Sequence, residues 1–358
     1  MKKILLLGAG NIGKAIAYDL NKDFKLTIVD SSEKTLDECE KYGDTLVLDV
    51  TDTRNMQTAM EDVDAVVCAL PGRFGFKVLE TAVKCGTDTV DVSFMPEDPF
   101  ALQEEAKKAR VSLVVDAGFG PGLPNVFIGR LNALMDCIQR CMIRIAGLPM
   151  DPKPPLFHSV TWSPHDLVEE YTRPARVVRN DRVHVVKPFD EIRPVTVRGM
   201  ELEEFYSDGL RTLLHTVKVH HMEETTLRWK GHLERIKALD EFGFFQEHRV
   251  NDTLDMILPY MVSRDRDISL LEIDVKGRFK GEDVEAGCSL YDEAKAGFSS
   301  MARTTGFTTA LMTRILLERE LPKGVLPLEL LGENVDIHDY ILEELRARDV
   351  EIKVCYPH

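Results

Sequence analysis

Gly8-Ala9-Gly10-Asn11-Ile12-Gly13 sets three glycines at the spacing G-x-G-x-x-G, and Asp30 stands further along the chain. Residues of these types in this order suit the binding of a dinucleotide. Gly8 permits a tight turn, Gly10 lets the main chain come close to a pyrophosphate, and Gly13 lets the next helix lie close on the preceding strand. The helix start, at Asn11 and Ile12, then offers free N–H groups and a partial positive charge to the phosphates. Asp30 accepts hydrogen bonds from the adenosine ribose hydroxyls. A 2′-phosphate there would meet its negative charge, and Ser31-Ser32-Glu33 supplies no arginine to offset it, so NAD is expected rather than NADP.

A second concentration of chemistry lies in residues 162–177, WSPHDLVEEYTRPARV, where Tyr171, Arg173 and Arg176 crowd beside Glu169 and Glu170. The planar fork of an arginine binds a carboxylate through two hydrogen bonds. Arginine is therefore the residue type that would hold an acidic group in such a run. The competing reading is a surface network in which Arg173 pairs with Glu169 or Glu170.

These residues need elements to position them, and the first half of the chain supplies a regular alternation. Strand-like runs stand at Lys3–Leu7, Lys25–Val29, Thr45–Leu48, Ala65–Cys68, Thr87–Val92 and Val111–Val115. Helical spacing appears at Ile12–Leu20, Glu33–Tyr42, Arg54–Met60, Phe74–Lys84 and Asp98–Ala109. Strands separated by single helices predict βαβ units and a parallel sheet, so the glycine run falls at the first strand-to-helix turn of a Rossmann dinucleotide-binding domain. Asp49 and Val50 then lie where an adenine edge would sit, and Ala69-Leu70-Pro71 where the chain would pass over the cofactor. Both loops are at carboxyl ends of strands, where open α/β sheets bind ligands.

Asp116-Ala117-Gly118-Phe119-Gly120-Pro121-Gly122 follows the sixth strand and punctuates the chain. Gly118 is expected beside the nicotinamide half of the cofactor. Asp91 and Asp116, at the ends of the fifth and sixth strands, are the candidates for proton transfer, and turn or capping roles remain open for both. His165, His215, His220 and His221 are their rivals.

Beyond a helix at 122–134, strand-like runs at 138–145, 183–186, 195–198, 216–220 and 270–276, with helices at 233–242 and 254–262, predict an α+β domain with a mixed, largely antiparallel sheet. Phe298 to Gly306 opens a long apolar helix, and Thr304 and Thr305 near its start are further substrate-contact candidates. The domain reading is 1–121 for the dinucleotide-binding domain, 122–300 for a substrate and dimerisation domain, and 301–358 for a helix and tail returning toward the first.

Composition narrows the partners. The chain has 358 residues, more than one hydrophobic core ordinarily serves. Its 45 basic against 60 acidic residues leave a net charge of −15, which argues against nucleic acid. No apolar run approaches the roughly 18 residues of a membrane helix. Seven scattered cysteines without a C-x-x-C pair suit a reducing cytoplasm and suggest no metal site.

GAGNIG, DAGFGPG, WSP, EYTRPARVVRND, GLRTL and ARTTG occur in this order across most of the chain. Together they resemble the saccharopine dehydrogenase (saccharopine reductase) family, most nearly its NAD-dependent lysine 6-dehydrogenase branch. The glycine pattern is widely shared, whereas EYTRPARVV and GLRTL are more specific. The resemblance therefore makes Arg173 and Arg211, which lie in these two stretches, the first candidates for holding the substrate carboxylate, with Tyr171 beside Arg173. The resemblance implies a cytoplasmic homodimer that oxidises the ε-amine of L-lysine with NAD. The imine then hydrolyses, ammonia leaves, and the aldehyde cyclises to Δ1-piperideine-6-carboxylate. Two alternatives stand beside it. One is a saccharopine reductase or carboxynorspermidine-type dehydrogenase reducing an imine with NAD(P)H, and the other is a non-catalytic NAD-binding regulatory protein.

Overall fold

The structure is a computed structural model that describes residues 1–261 and 266–357. It divides into two units, Met1–Gly129 with Ala302–Leu345, and Arg130–Met301 with the residues from Arg346 onward. Among the described residues, no helix is long and apolar enough to cross a membrane.

The first unit is built on seven parallel strands. Across the sheet they run Gly324–Pro327, Ser112–Val115, Thr89–Asp91, Ala65–Cys68, Lys3–Leu7, Lys25–Asp30 and Asp44–Val47. The order reverses at Lys3–Leu7, which is the switch point of a doubly wound fold. Side chains on a strand alternate between faces, and both faces here are apolar. Ile4, Leu6, Leu26, Ile28 and Val67 pack with Ile16, Leu20 and Ala310, while Leu5, Leu7, Val66 and Cys68 pack with Met56, Val78 and Ala82. The strand Gly324–Pro327, which the sequence did not reveal, pairs with Ser112–Val115.

The long helix Ser300–Glu318 fastens itself to the helix Asn11–Leu20 within this unit from Ala302 onward. A Cβ on Gly306 would fall 2.7 Å from that of Ala15, so the two helices touch along their backbones. Further along, Arg314 reaches Asp19 at 2.5 Å and Asp23 at 2.7 Å.

The second unit holds a nine-stranded sheet. Its centre is Cys137–Pro149, parallel to Val219–Trp229 on one side and antiparallel to Asp267–Phe279 on the other. The remaining pairings are antiparallel. Two-residue hairpin turns with left-handed backbone at both positions, Asn180-Asp181, Arg198-Gly199 and Lys280-Gly281, join three of the strand pairs. Such turns match the natural twist of the strands they connect.

Several boundaries differ from the sequence reading. Residues 216–220 were expected as strand, yet Leu213–Thr216 is a helical turn and the strand runs Val219–Trp229. The strands Ala175–Arg179, Met200–Tyr206 and Glu282–Glu293 were not anticipated; they carry charged residues on both faces, with Glu204 and Asp292 buried, and these dilute the apolar signal. Residues 301–358 do not stay together, because the last strand, Glu351–Cys355, pairs with Glu282–Glu293 in the second unit. Val262, at the end of the expected helix 254–262, lies outside the described residues.

Candidate functional site

In the first unit the chemistry gathers at the carboxyl ends of the parallel strands. Gly8 has a φ of +100°, and a Cβ there would lie 2.3 Å from the Ala69 carbonyl oxygen, so no other residue fits this turn. Its N–H bonds the Val29 oxygen at 2.8 Å, which ties the turn to the neighbouring strand. A Cβ on Gly13 would fall 1.9 Å from the Gly8 oxygen, whereas one on Gly10 would meet nothing within 4 Å. The turn is thus closed underneath by Gly8 and Gly13 and open in front at Gly10, where Asn11 and Ile12 begin the helix. That is the shape a pyrophosphate requires.

Asp30 organises the adjoining loop. One carboxylate oxygen accepts from the Ala9 N–H and the other from the Ser32 N–H, each at 2.9 Å. Both oxygens stay within reach of a sugar because the residue is only half-buried. Asp49 is exposed, and the Thr51 N–H and hydroxyl bonding to it hold its carboxyl below the usual range. Val50 packs half-buried against the core beside it. Ala69, Leu70 and Pro71 lead from the fourth strand into the helix Gly72–Cys85, and Ala69 N–H bonds the Leu7 oxygen at 2.8 Å.

Asp91 and Asp116 are both buried. The Asp91 carboxylate accepts from the Ser93 hydroxyl at 2.9 Å, and its main-chain oxygen accepts from Ala117 N–H at 2.8 Å. Burial first, and then the Asp91 charge, push the Cys68 thiol well above its ordinary pKa. Asp116 occupies the left-handed region at φ +55° and starts the glycine crossing. Gly118 packs between strand and helix: a Cβ on it would lie 2.9 Å from Val92 Cγ2 and 3.4 Å from Thr305 Cγ2. Thr309 bonds the Ala117 oxygen at 2.9 Å. The fold therefore brings Asp91, Asp116, Gly118, Thr304 and Thr305 to one end of the first unit.

The remaining candidates, Tyr171, Arg173 and Arg211, belong to the second unit. Tyr171 is a core residue stacked with Phe189 and tilted on Phe205. Its hydroxyl lies 2.8 Å from His232 Nε2 and 3.0 Å from Arg228 Nε, and burial pushes its pKa up to about 12. These internal partners commit the hydroxyl expected to touch substrate. Arg173 closes the helix Pro164–Thr172 and bonds the exposed Glu169 at 3.1 Å, while its own side chain is only 13% exposed. Arg211 is buried in a turn at φ +39°, next to Gly209, which lies against the Glu224 carboxylate. Arg176 grips Asp208 with two bonds of 2.9 Å.

Glu170 does not face outward. It accepts from Arg228 at 2.5 Å and from Thr226 at 2.8 Å. Of the histidine rivals, His165 and His220 are exposed and bonded to Asn251 and Asp181, His215 is exposed, and His221 is half-buried against His220. The sequence reading missed Arg228 and His232, both buried. Their signal was an arginine inside the strand-like run TTLRW, a position where an unpaired charge would not survive.

Residues 4–114 match the saccharopine dehydrogenase NADP binding domain, and residues 118–350 match the saccharopine dehydrogenase C-terminal domain. The saccharopine dehydrogenase [NADP(+), L-glutamate-forming] of Saccharomyces cerevisiae is 23% identical over 69% of this chain and 59% of its own length. The mitochondrial alpha-aminoadipic semialdehyde synthase of Rattus norvegicus is 21% identical over 68% of this chain and 28% of its length. The chain thus spans well under two thirds of either curated relative. The apo structure of the S. cerevisiae saccharopine dehydrogenase superposes with a TM-score of 0.80 at 18% identity, covering 99% of this chain and 100% of that one. With both domains matched in order and the glycine turn intact, the chain belongs to the saccharopine dehydrogenase family.

Proposed function

We propose that this protein is an NAD-dependent amino-acid oxidoreductase that removes the ε-amine of L-lysine. The observation that carries the reading is the pairing of the two family domains with an Asp30 whose carboxylate is fixed by Ala9 and Ser32 N–H groups. A carboxylate held there accepts ribose hydroxyls and opposes a 2′-phosphate. This favours NAD, although the relative from S. cerevisiae carries NADP(+) in its name.

The nicotinamide, when bound, would take a hydride from the carbon bearing the amine. The work left to the chain is positioning and proton transfer. A lysine ammonium has a pKa near 10.4, and the carbon beside it yields hydride only after the nitrogen loses its proton. Asp91 and Asp116 are the candidates for receiving it, and Arg173 and Arg211 for holding the α-carboxylate. Water then adds to the imine, ammonia leaves, and the aldehyde closes on the α-amine with loss of water to give Δ1-piperideine-6-carboxylate. A cytoplasmic homodimer completes the proposal.

A second reading, imine reduction of the saccharopine type, is favoured by the names of the curated relatives. One assay separates the two. Purified protein with NAD and L-lysine should reduce the cofactor, measured by absorbance, and NADP should serve poorly. Cofactor oxidation only when an amino acid and an aldehyde are supplied together with NADPH would replace the first reading by the second.

A further inference from the structure

Glu170, Arg228, Tyr171 and His232 form one continuous hydrogen-bonded chain inside the second unit, and chemistry fixes its direction. The Leu156 carbonyl only accepts, so His232 Nδ1, at 2.6 Å, carries the ring proton. His232 Nε2 is then an acceptor and takes the Tyr171 hydroxyl proton at 2.8 Å. The Tyr171 oxygen accepts in turn from Arg228 Nε, and Arg228 Nη2 ends on Glu170. Each of these groups is satisfied by its neighbour.

His158 lies against this chain without joining it. Its ring centroid is 5.0 Å from that of His232, the residue is 6% exposed, and neither ring nitrogen has a hydrogen-bond partner among the described residues. Leaving a buried polar group unmet costs about 1–3 kcal/mol. A ligand carrying a hydrogen-bond acceptor would supply one missing partner and remove part of that cost.

The surroundings select the ligand's charge. Burial, and then Arg228 and His232, lower the affinity of His158 for a proton, so it presents a neutral ring with one N–H and one lone pair. The Arg228 charge that discourages a proton also discourages an ammonium and favours an anion. Glu170, the partner of Arg228, is not among the charges that act on His158.

We propose that His158 is a ligand contact of the second unit, donating a hydrogen bond to the carboxylate of a small amino-acid-like molecule while the Tyr171–His232 pair backs its ring. The ligand class rests on the amino-acid reading above, but the contact does not depend on any oxidation taking place.

The test uses the whole wild-type protein with its histidine ring nitrogens isotopically labelled. The His158 resonances, identified by their loss in His158→Gln, are followed by NMR while L-lysine, L-glutamate or cadaverine is added through the millimolar range. They are expected to move with either amino acid and to stay in place with cadaverine, which is lysine without its carboxylate. Signals that ignore both amino acids, or that move equally with cadaverine, overturn the proposal. In parallel, His158→Phe should raise the KM for lysine by about tenfold, the equivalent of one lost hydrogen bond. His158→Gln, which keeps a donor, should raise it less. Resonances that move while lysine is never oxidised would remove the lysine reading and leave the contact standing. Turnover of lysine with silent resonances and an unchanged KM would remove the contact alone.

Discussion

Both units bury side-chain pairs, Arg314 with Asp19 in the first among them, but around their candidate sites the two handle polarity differently. In the first, main-chain groups do most of the work: Gly8 N–H meets the Val29 oxygen, Ala9 N–H meets Asp30, and Ala117 N–H meets the Asp91 oxygen. In the second, side chains meet side chains across the sheet: Arg228 with Glu170, Arg144 and Arg193 with Glu204, Arg176 with Asp208. A site shaped by backbone depends on a few residues that lack a side chain. A site shaped by buried charge depends on every partner being present, because removing one strands the other.

Arg228→Met should therefore show the largest effect. It leaves Glu170 buried with Thr226 alone and should lower stability by about 3–5 kcal/mol in chemical denaturation. Glu170→Leu combined with Arg228→Leu should cost much less than the two single changes added together, since the pair goes as one. Equal and additive losses would break the contrast between the units.

Gly8→Ala probes the opposite kind of site. The new methyl would collide with the Ala69 oxygen, and the backbone would hold an L-residue at φ +100°. A stability loss of about 1–3 kcal/mol is expected, together with a fall of more than about tenfold in dinucleotide affinity by fluorescence titration. Gly10→Ala, with nothing within 4 Å of its Cβ, should leave stability unchanged and weaken the dinucleotide alone.

Acid should find the second unit first. Burial, and then the Arg228 charge, hold the pKa of His232 down to about 3, and that of His158 is also lowered. In the unfolded chain each titrates near 6.5, so below that pH the unfolded state binds protons that the native state refuses. Stability is then flat above about 6.5 and falls toward 3, by about 1.4 kcal/mol per pH unit for each fully shifted histidine. Urea midpoints measured down to about pH 5 should show this slope, and His158→Gln should flatten it. An unaltered slope in that variant would assign the acid sensitivity elsewhere.

The same contrast explains what could be read from the sequence. Gly8, Gly10, Gly13 and Asp30 were legible because they follow one local spacing, and the alternating elements placed the glycines at the first strand-to-helix turn and Asp30 at the end of the second strand. The pairs that build the second site lie far apart in the chain, Glu170 with Arg228 and Tyr171 with His232, and no spacing rule joins them. EEY therefore read as a surface charge cluster, although Glu170 and Tyr171 point inward and Glu169 points out. Arg173 and Arg211 were found through resemblance to a family, not through pattern. The hairpin strands escaped for a related reason: Glu282–Glu293 alternates buried with half-buried positions from Ala286 on, and half of its letters are polar.

The smallest expected effect completes the contrast by separating burial from charge. Lys276 and Glu285 face each other across the antiparallel strands of the second unit, 2.6 Å apart, with side chains 58% and 75% exposed. The bond lowers the Glu285 pKa, chiefly through the hydrogen bond itself, yet water competes for both ends and salt screens them. Lys276→Ala should leave the denaturation midpoint where it is, at low and at high salt. A loss approaching that of Arg228→Met would mean that charge pairing as such stabilises this sheet; no loss would locate the effect in the desolvated pairs beneath the helix Pro164–Thr172.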